Sequence, residues 1–166
     1  MGEELTRIGV TGHMNLSPET VELVRVAIRE QLRPHAGHRL EGVSCIAAGS
    51  DSIFAEVVLE LGGSLEVVLP SADYRERKVK PAHAVQFDSL IRRAARVRTT
   101  AHAEANPVAY EAANEVVLSS CDLLLAVWDG CSPADQGGTA AVVEQARERG
   151  LPVIVLWPDG ALRVPK

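Results

Sequence analysis

The sequence has few cysteines, few aromatic residues and no long apolar run, and each shortage excludes a class of protein. Its three cysteines are scattered and form no CxxC pair, which argues against a disulfide framework and favours a reducing compartment. No apolar segment approaches the roughly 18 residues that indicate a membrane-spanning helix. The acidic start MGEELTRIG lacks the apolar stretch of a signal peptide. We therefore expect a cytoplasmic protein without a membrane partner.

Positive charge is also scarce, and this shortage bears on the possible partners. The 17 Lys and Arg residues are outnumbered by 22 Asp and Glu residues, so the net charge is −5 and the pI is about 5.5. Nonspecific nucleic-acid binders usually have a basic balance. Only 4% of the residues are aromatic, which leaves few rings to stack on bases. The composition therefore argues against nucleic acid as a partner, whereas a small anionic ligand stays compatible with it.

Several sequence motifs that indicate a cofactor site, a metal site or a catalytic nucleophile are absent. Neither GxGxxG nor GxxxxGK[ST] occurs, so neither the dinucleotide fingerprint nor the P-loop applies. His35, His38, His83 and His102 lack the paired spacing that zinc needs, and GxSxG is missing. We predict no metal site and no cofactor, and the motifs alone assign no catalytic residue.

Strand-like and helix-like segments alternate along the chain. Ser17 and Pro18 are the residue types of a helix N-cap and first helical position. The unbroken apolar run Leu123–Val127 is typical of a central parallel strand that is covered on both faces. The sequence predicts strands over residues 7–10, 42–46, 65–69, 96–100, 122–128 and 152–157, and an exposed loop over residues 71–81.

This alternation predicts βαβ units, in which helices cover both faces of a parallel sheet. The expected fold class is therefore α/β, a three-layer sandwich with a mainly parallel sheet of about six strands. Residues 1–166 contain no repeat, low-complexity tract or linker, so we expect one domain.

In open parallel sheets, ligands bind beyond the carboxyl ends of the strands, near the reversal in strand order. Glycine in the loops there lets the backbone approach a ligand closely, and the N-termini of the following helices favour anions. The loops of this sequence, with one residue from a helix, supply the candidate ligand-binding residues Thr11, Gly12, His13, Gly49, Ser50, Asp51, Pro70, Asn114, Asp129, Gly130, Gly137, Gly138 and Thr139.

Each candidate also has a structural alternative, because a glycine-rich loop before a helix is more often a tight turn than a phosphate site. His13 could contact a phosphate or exchange a proton near neutral pH, or it could bridge two loops or cap a helix. Asp129 could hold ribose hydroxyls or merely cap its turn. Ser50 and Asp51 could simply cap their helix, and Asn114 could line a cleft or pack between layers.

Basic residues concentrate in one part of the chain. Eight of the 17 lie between residues 75 and 98: Arg75, Arg77, Lys78, Lys80, Arg92, Arg93, Arg96 and Arg98. They could form a lid that brings arginine onto a phosphate. We favour the simpler interpretation of a solvated loop and helix surface.

Three stretches taken together resemble the SLOG superfamily of Rossmann-like nucleotide-binding domains. They are GVTGH at residues 9–13, IAAGSD at residues 46–51, and VWDG at residues 127–130 with GGT at residues 137–139. The superfamily includes the lonely-guy phosphoribohydrolases and sensor domains for nucleotide derivatives. The resemblance extends over about residues 7–160. It implies a Rossmann-like fold and a nucleotide or nucleotide-like ligand over these loops, and the dimers among relatives imply a possible homodimer.

The chain departs from the superfamily pattern in two places. Met14 follows His13, where many relatives have arginine. The phosphoribohydrolases carry PGGxGTxxE, and aligning their GT with Gly138 and Thr139 places Val142 at the position of the catalytic glutamate. Glu144 lies two residues further on, which turns it roughly 200° away at about 100° per residue. The hydrolase activity is therefore not transferred.

We predict that the protein binds or senses a nucleotide or nucleotide-derived ligand through its strand-end glycine loops. The alternative is a nucleotide N-glycosidase that resembles the phosphoribohydrolases and hydrolyses a nucleoside monophosphate. That chemistry needs a carboxylate near an oxocarbenium-like centre. The candidates are Glu111, Asp129 and Glu144, with His13 as the proton donor.

Overall fold

The computed structural model describes residues 5–131 and 138–165. Within these ranges, strands and helices alternate as the sequence predicts. The strands are β1 (Thr6–Gly12), β2 (Leu40–Ser44), β3 (Ser64–Leu69), β4 (Arg96–Thr99), β5 (Leu123–Val127) and β6 (Val153–Leu156). The helices are α1 (Pro18–Leu32), α2 (Ser50–Glu60), α3 (Tyr74–Lys78), α4 (Pro81–Arg93), α5 (Pro107–Ser120) and α6 (Thr139–Glu148).

The six strands form one parallel sheet in the order β4-β3-β2-β1-β5-β6. The predicted α/β class with a parallel sheet is confirmed. The chain first runs from β1 outward to β4, and then returns to place β5 on the other side of β1. The strand order therefore reverses between β1 and β5, and the loops after these two strands meet at the carboxyl edge.

The helices form two layers around the sheet. On one face, α1 and α2 pack their apolar residues against β1 and β5, and α4 packs against β3. On the other face, α5 and α6 pack against the remaining side of the same strands.

Glycine residues allow the closest contacts between the sheet and the helices. A Cβ on Gly9 would lie 2.9 Å from Cys121 Sγ, and a Cβ on Gly42 would lie 2.7 Å from the Val58 side chain.

The predicted start of α1 is confirmed. The Ser17 hydroxyl accepts a hydrogen bond from the Thr20 N–H at 3.2 Å, and Pro18 is the first helical residue. The predicted loop over residues 71–81 is wrong in part, because α3 lies within it. This helix has five residues, and only Tyr74 among them is buried. It therefore lacks the apolar stripe by which a longer helix shows in a sequence.

The second strand also ends earlier than predicted. The apolar residues Cys45 and Ile46 suggest that it continues, but β2 ends at Ser44. The Ser44 hydroxyl accepts the Ile46 N–H at 3.0 Å and donates to the carbonyl oxygen of Asp51 at 3.0 Å. Ile46 is fully buried with a φ of 46°, which is a strained conformation for a β-branched residue. The loop after β2 is thus tightly constrained.

Within the parts of the chain that the structure describes, no helix is long and apolar enough to cross a lipid bilayer. Cys45, Cys121 and Cys131 are free thiols.

Candidate functional site

The reversal in strand order brings the loops after β1 and β5 side by side. The register pairs Gly12 with Val127, and the His13 N–H donates to the Val127 carbonyl at 3.1 Å. His13 and Asp129 therefore lie at the point where ligands bind in open α/β sheets.

His13 joins the two loops through its side chain. The Asp129 N–H donates to His13 Nε2 at 3.2 Å, and the imidazole and Trp157 rings lie nearly perpendicular to each other with their centroids 5.5 Å apart. Nε2 also lies 3.4 Å from Asp129 Oδ1, a contact that becomes an ion pair only when the ring is protonated. The side chain is 8% exposed, so the bridging role is the one that the structure displays.

Asp129 keeps a partly accessible carboxylate at this junction. Burial alone would raise its pKa, but the Cys131 N–H, the charge of a protonated His13 ring and the Arg163 guanidinium outweigh it, so the pKa of Asp129 lies below its ordinary value. The Cys131 N–H donates to Oδ1 at 2.9 Å and Arg163 donates to Oδ2 at 3.4 Å. Gly130 follows with a φ of 83°, as its turn requires. The carboxylate is 18% exposed and charged at neutral pH.

Three of the predicted ligand-binding residues hold the loops after β1 and β2 together. The Ser50 N–H and hydroxyl both donate to the carbonyl of His13, at 3.2 and 2.7 Å. A Cβ on Gly12 would lie 2.6 Å from Ser50 Cβ, and a Cβ on Gly49 would lie 2.7 Å from the Met14 carbonyl oxygen. Gly12, Gly49 and Ser50 thus serve contact between loops. Gly49 is also the N-cap of α2, so the capping role predicted for Ser50 and Asp51 is wrong.

The N-terminus of α6, the helix that follows β5, differs from that of α2. Gly138 is its N-cap, and no side chain within the described residues caps it. The Gly138 carbonyl accepts from the Ala141 N–H at 3.0 Å. The N–H groups of Thr139 and Ala140 have no carbonyl partner within the helix, as in every first turn, and such a turn is suited to an anion. The predicted candidate Gly137 lies outside the described residues.

A second group of polar side chains lies at the same edge, above β2 and β3. Burial raises the pKa of Asp51 to about 7, although a hydrogen bond from the Ala47 backbone acts in the other direction. Burial also raises the pKa of Cys45, with the charge of Asp51 adding to the effect. The pKa of Tyr74 is raised by burial first and then by Asp51 and Tyr110. Asp51 thus acts on both Cys45 and Tyr74, and Tyr110 acts on Tyr74.

The two tyrosines of the chain meet in this group. The Tyr74 and Tyr110 rings are 6.3 Å apart and nearly perpendicular. Tyr110 lies in the first turn of α5, and Asn114 follows one turn later on the same side of the helix. Asn114 is half-buried, and its amide forms no hydrogen bond with any described residue. Its donors and acceptor are therefore available to a ligand near the tyrosines.

A network of loop contacts supports these rings. The Asp73 carboxylate accepts from the Ser71 hydroxyl and the Ala105 N–H, both at 2.8 Å. Pro70 is buried, and its carbonyl accepts from the Thr100 hydroxyl. The loop after β3 is thereby fixed to the loop after β4. Pro70 supports the site through its backbone.

Sequence reasoning missed Cys45, Tyr74 and Tyr110 as members of the site. A usable signal existed, because a chain with two tyrosines placed one after β3 and the other at the start of a helix. Within residues 5–131 and 138–165, no three His, Cys, Asp or Glu side chains are close enough together to hold a metal ion.

The carboxylates suggested for the glycosidase alternative are dispersed. Val142 is buried among Leu118, Leu124 and Ala146, so its position faces the core. Glu144 and Glu111 are exposed on α6 and α5.

Four of the eight basic residues in the stretch form ion pairs with described carboxylates, two of them with Asp88 and Asp73 at the surface and two with the buried Glu66. Arg75 donates twice to Asp88, at 3.0 and 2.7 Å, and Arg77 lies 3.8 Å from Asp73. These pairs support the interpretation of a solvated surface.

No protein-family model matches this sequence, and no curated protein matches it. Several solved structures do match the fold of this chain. DNA processing protein A (DprA) from Streptococcus pneumoniae superposes with a TM-score of 0.67 at 17% identity, over 94% of this chain and 52% of that one. DprA from Helicobacter pylori gives 0.66 at 18% identity, over 95% and 67%. The molybdenum cofactor carrier protein from Chlamydomonas reinhardtii gives 0.57 at 19% identity, over 92% and 76%.

These likenesses establish the fold. The chain has the Rossmann-like fold of these proteins, which is the fold that the resemblance in the sequence implies. It spans about half the length of the S. pneumoniae DprA chain. The argument against nucleic acid as a partner is wrong, because the H. pylori DprA structure concerns single-stranded DNA binding on this same fold. A negative net charge describes the whole surface and does not determine what one edge of the sheet can bind.

Proposed function

We propose that the protein binds or senses a nucleotide or nucleotide-derived ligand at the carboxyl edge of its sheet. One observation carries the proposal: the same edge holds the start of α6, whose first N–H groups no side chain of the described residues caps, and a pair of tyrosine rings above β3. Three strand spacings, roughly 14 Å, separate β5 from β3. A ligand that reaches both ends needs an anionic group and a planar group, and a nucleotide has both.

Each end has groups suited to one part of such a ligand. Phosphate oxygens would accept from the first N–H groups of α6 and from the Thr139 hydroxyl. The ionised carboxylate of Asp129 would accept hydrogen bonds from sugar hydroxyls. A base would lie near Tyr110, where the free amide of Asn114 and the carboxyl of Asp51 can read its edge. The known neighbours support a ligand-binding role, since one of them carries the molybdenum cofactor.

Thermal unfolding against AMP, ADP, ATP, CMP, GMP, NAD and ADP-ribose tests the proposal, with a dT oligonucleotide as a further arm. A ligand at a hundred times its Kd stabilises a protein by about 2.7 kcal/mol. Each kcal/mol moves the midpoint of a domain of this size by about 2–4 °C. We expect one nucleotide or derivative to raise the midpoint by several degrees.

Two substitutions locate the binding. Thr139→Ala and Asn114→Ala should each reduce the shift, whereas Val85→Thr, at an exposed position of α4, should leave it unchanged. A folded protein that no nucleotide stabilises would refute the proposal. A shift that survives both substitutions would place the ligand elsewhere.

The N-glycosidase alternative receives less support, because no specific observation favours it. The same mixtures can be assayed for released base. Release that depends on Asp129 would establish the alternative, and stabilisation without release would leave the protein as a binding or sensing module. The expected homodimer stays a prediction.

A further inference from the structure

Within residues 5–131 and 138–165, the outer strand β4 has one edge that no other strand pairs with. It pairs with β3 on one side and forms the end of the sheet on the other. All four of its residues are exposed. The side chains of Arg96 and Arg98 are 63% and 45% exposed, and Val97 is 42% exposed. An edge of this kind offers free backbone N–H and C=O groups to an added strand.

The two arginines project from the same face of the sheet, because side chains alternate along a strand. On that face they share one carboxylate, Glu66, which is 2% exposed and lies 3.4 Å from each. Glu66 is already bound more closely by Arg7 at 2.8 Å, and Arg7 also contacts Glu41 at 3.1 Å. Three guanidinium groups thus face two carboxylates.

The arginines of the edge strand have unused donors. A guanidinium carries five N–H groups, and the only hydrogen bonds that Arg96 and Arg98 make with described residues are those to Glu66. The buried carboxylate lies on β3 and draws both guanidinium groups toward that strand, but it neutralises only part of their charge. The free edge is therefore an exposed backbone with positive charge along one side.

This pattern disfavours a second copy of the chain as the added strand. In an antiparallel pair about a two-fold axis, residues opposite each other have their side chains on the same face. Arg96 or Arg98 of one copy would then face Arg96 or Arg98 of the other in every register that aligns the two strands. Like charges directly opposite each other are destabilising. A strand with acidic residues at alternate positions would instead place each carboxylate across from an arginine.

We propose that the β4 edge binds an extended acidic segment of a partner protein by strand addition. The segment carries Asp or Glu at positions i and i+2, which face Arg96 and Arg98. An apolar residue between them lies on the other face beside Val97. Backbone hydrogen bonds supply affinity, and the paired charges select the partner. This surface is separate from the carboxyl edge that we propose for the nucleotide.

Fluorescence anisotropy tests the proposal with a labelled nonapeptide of alternating Glu and Val. We expect binding to the full chain at low salt, and at least a tenfold loss of affinity in the double variant Arg96→Gln/Arg98→Gln. Glutamine removes the charge and keeps a donor for Glu66, so the sheet should remain folded. The matched control is Arg33→Gln/Arg147→Gln, which changes the net charge equally at exposed positions and should bind as the unmodified protein does.

A second pair of measurements separates strand addition from simple charge attraction. The same peptide with N-methylated amides along one edge keeps its charges but loses its backbone donors, and it should bind at least tenfold more weakly. A Lys/Val peptide of the same length should not bind the unmodified protein, because its charges repel Arg96 and Arg98. Equal affinity for the N-methylated peptide, equal affinity in the Gln double variant, or no binding by the unmodified protein would overturn the proposal. Preferential binding of a dT oligonucleotide at this edge would also overturn it.

Discussion

The backbone N–H of Asp129 donates to Nε2 of His13 across 3.2 Å, and this bond joins the loops after the two strands between which the sheet order reverses. The His13 carbonyl accepts from Ser50 at the same time. One residue thereby connects the loops after β1, β2 and β5. The relative positions of these loops, and hence the shape of the proposed nucleotide site, depend on His13.

Substitution of His13 should therefore lower stability and ligand affinity together. His13→Ala leaves the Asp129 N–H without its acceptor, and we expect a loss of about 1–2 kcal/mol in the free energy of unfolding. Urea denaturation measures the loss. Met14→Ala, at the exposed neighbouring position, is the control and should change stability little. Stability equal to the unmodified protein in His13→Ala would show that the bond contributes nothing.

Gly49 should be far less replaceable than another glycine with positive φ. Gly49→Ala combines a φ of 82° with a Cβ 2.7 Å from the Met14 carbonyl oxygen, so the loops after β1 and β2 must separate. Gly150→Ala has a φ of 76° and no atom within 4 Å of its Cβ. We expect about 1 kcal/mol of destabilisation for Gly150→Ala and at least about 2 kcal/mol more for Gly49→Ala. Thermal unfolding of both variants measures the difference, and equal losses would contradict the role of the contact.

The raised pKa of Asp51 predicts a specific dependence of stability on pH. Its pKa is about 7 in the folded protein, against 3.8 for an unperturbed aspartate. Between these values the folded state binds more protons than the unfolded state, so the contribution of Asp51 is largest at low pH and is lost as the pH rises through about 7. Between about pH 5.5 and pH 8.5 the loss is on the order of 2 kcal/mol.

The comparison with Asp51→Asn isolates this contribution from other titrating groups. Asparagine has no charge to bury, so the variant should lose less stability than the unmodified protein as the pH rises over the same range. The lowered pKa of His83, caused by burial, acts equally in both proteins and cancels. Urea titrations at each pH give the difference, and parallel stability curves would show that Asp51 is not buried as a charged group.

Local patterns sufficed for much of the fold. The cap at Ser17 and the apolar run in β5 each determine an element from neighbouring residues alone. The short helix α3 could not be predicted from the sequence, because most of its residues are charged and only Tyr74 is buried. The end of β2 depends on a hydroxyl that bonds two residues on and seven residues on, which no strand propensity reflects.

The sequence predicted where in the fold the candidate site lies, but it predicted only some of the residues that meet there. Parallel strands place His13, Asp129 and Thr139 at one edge whatever the details of packing, so the loops were found from topology. The meeting of Tyr74 with Tyr110 depends on how α3 and α5 pack, which sequence spacing does not encode. The contact between Gly49 and the loop after β1 is tertiary in the same way, and so a glycine expected to meet a ligand meets backbone.

Glu66 is the clearest case in which partners distant in sequence determine the role of a residue. It lies within the apolar segment of β3, fully buried, and its partners are Arg7, Arg96 and Arg98 on two other strands. Removing its charge leaves three guanidinium groups without their shared negative partner. We therefore expect Glu66→Gln to lower the free energy of unfolding by about 2 kcal/mol, whereas Glu41→Gln, which loses one contact of Arg7, should lose at most about 1 kcal/mol. Urea denaturation in low and high salt measures both. If the two losses are equal, the buried carboxylate does not organise the arginines, and the charge pattern of the β4 edge would have to arise without it.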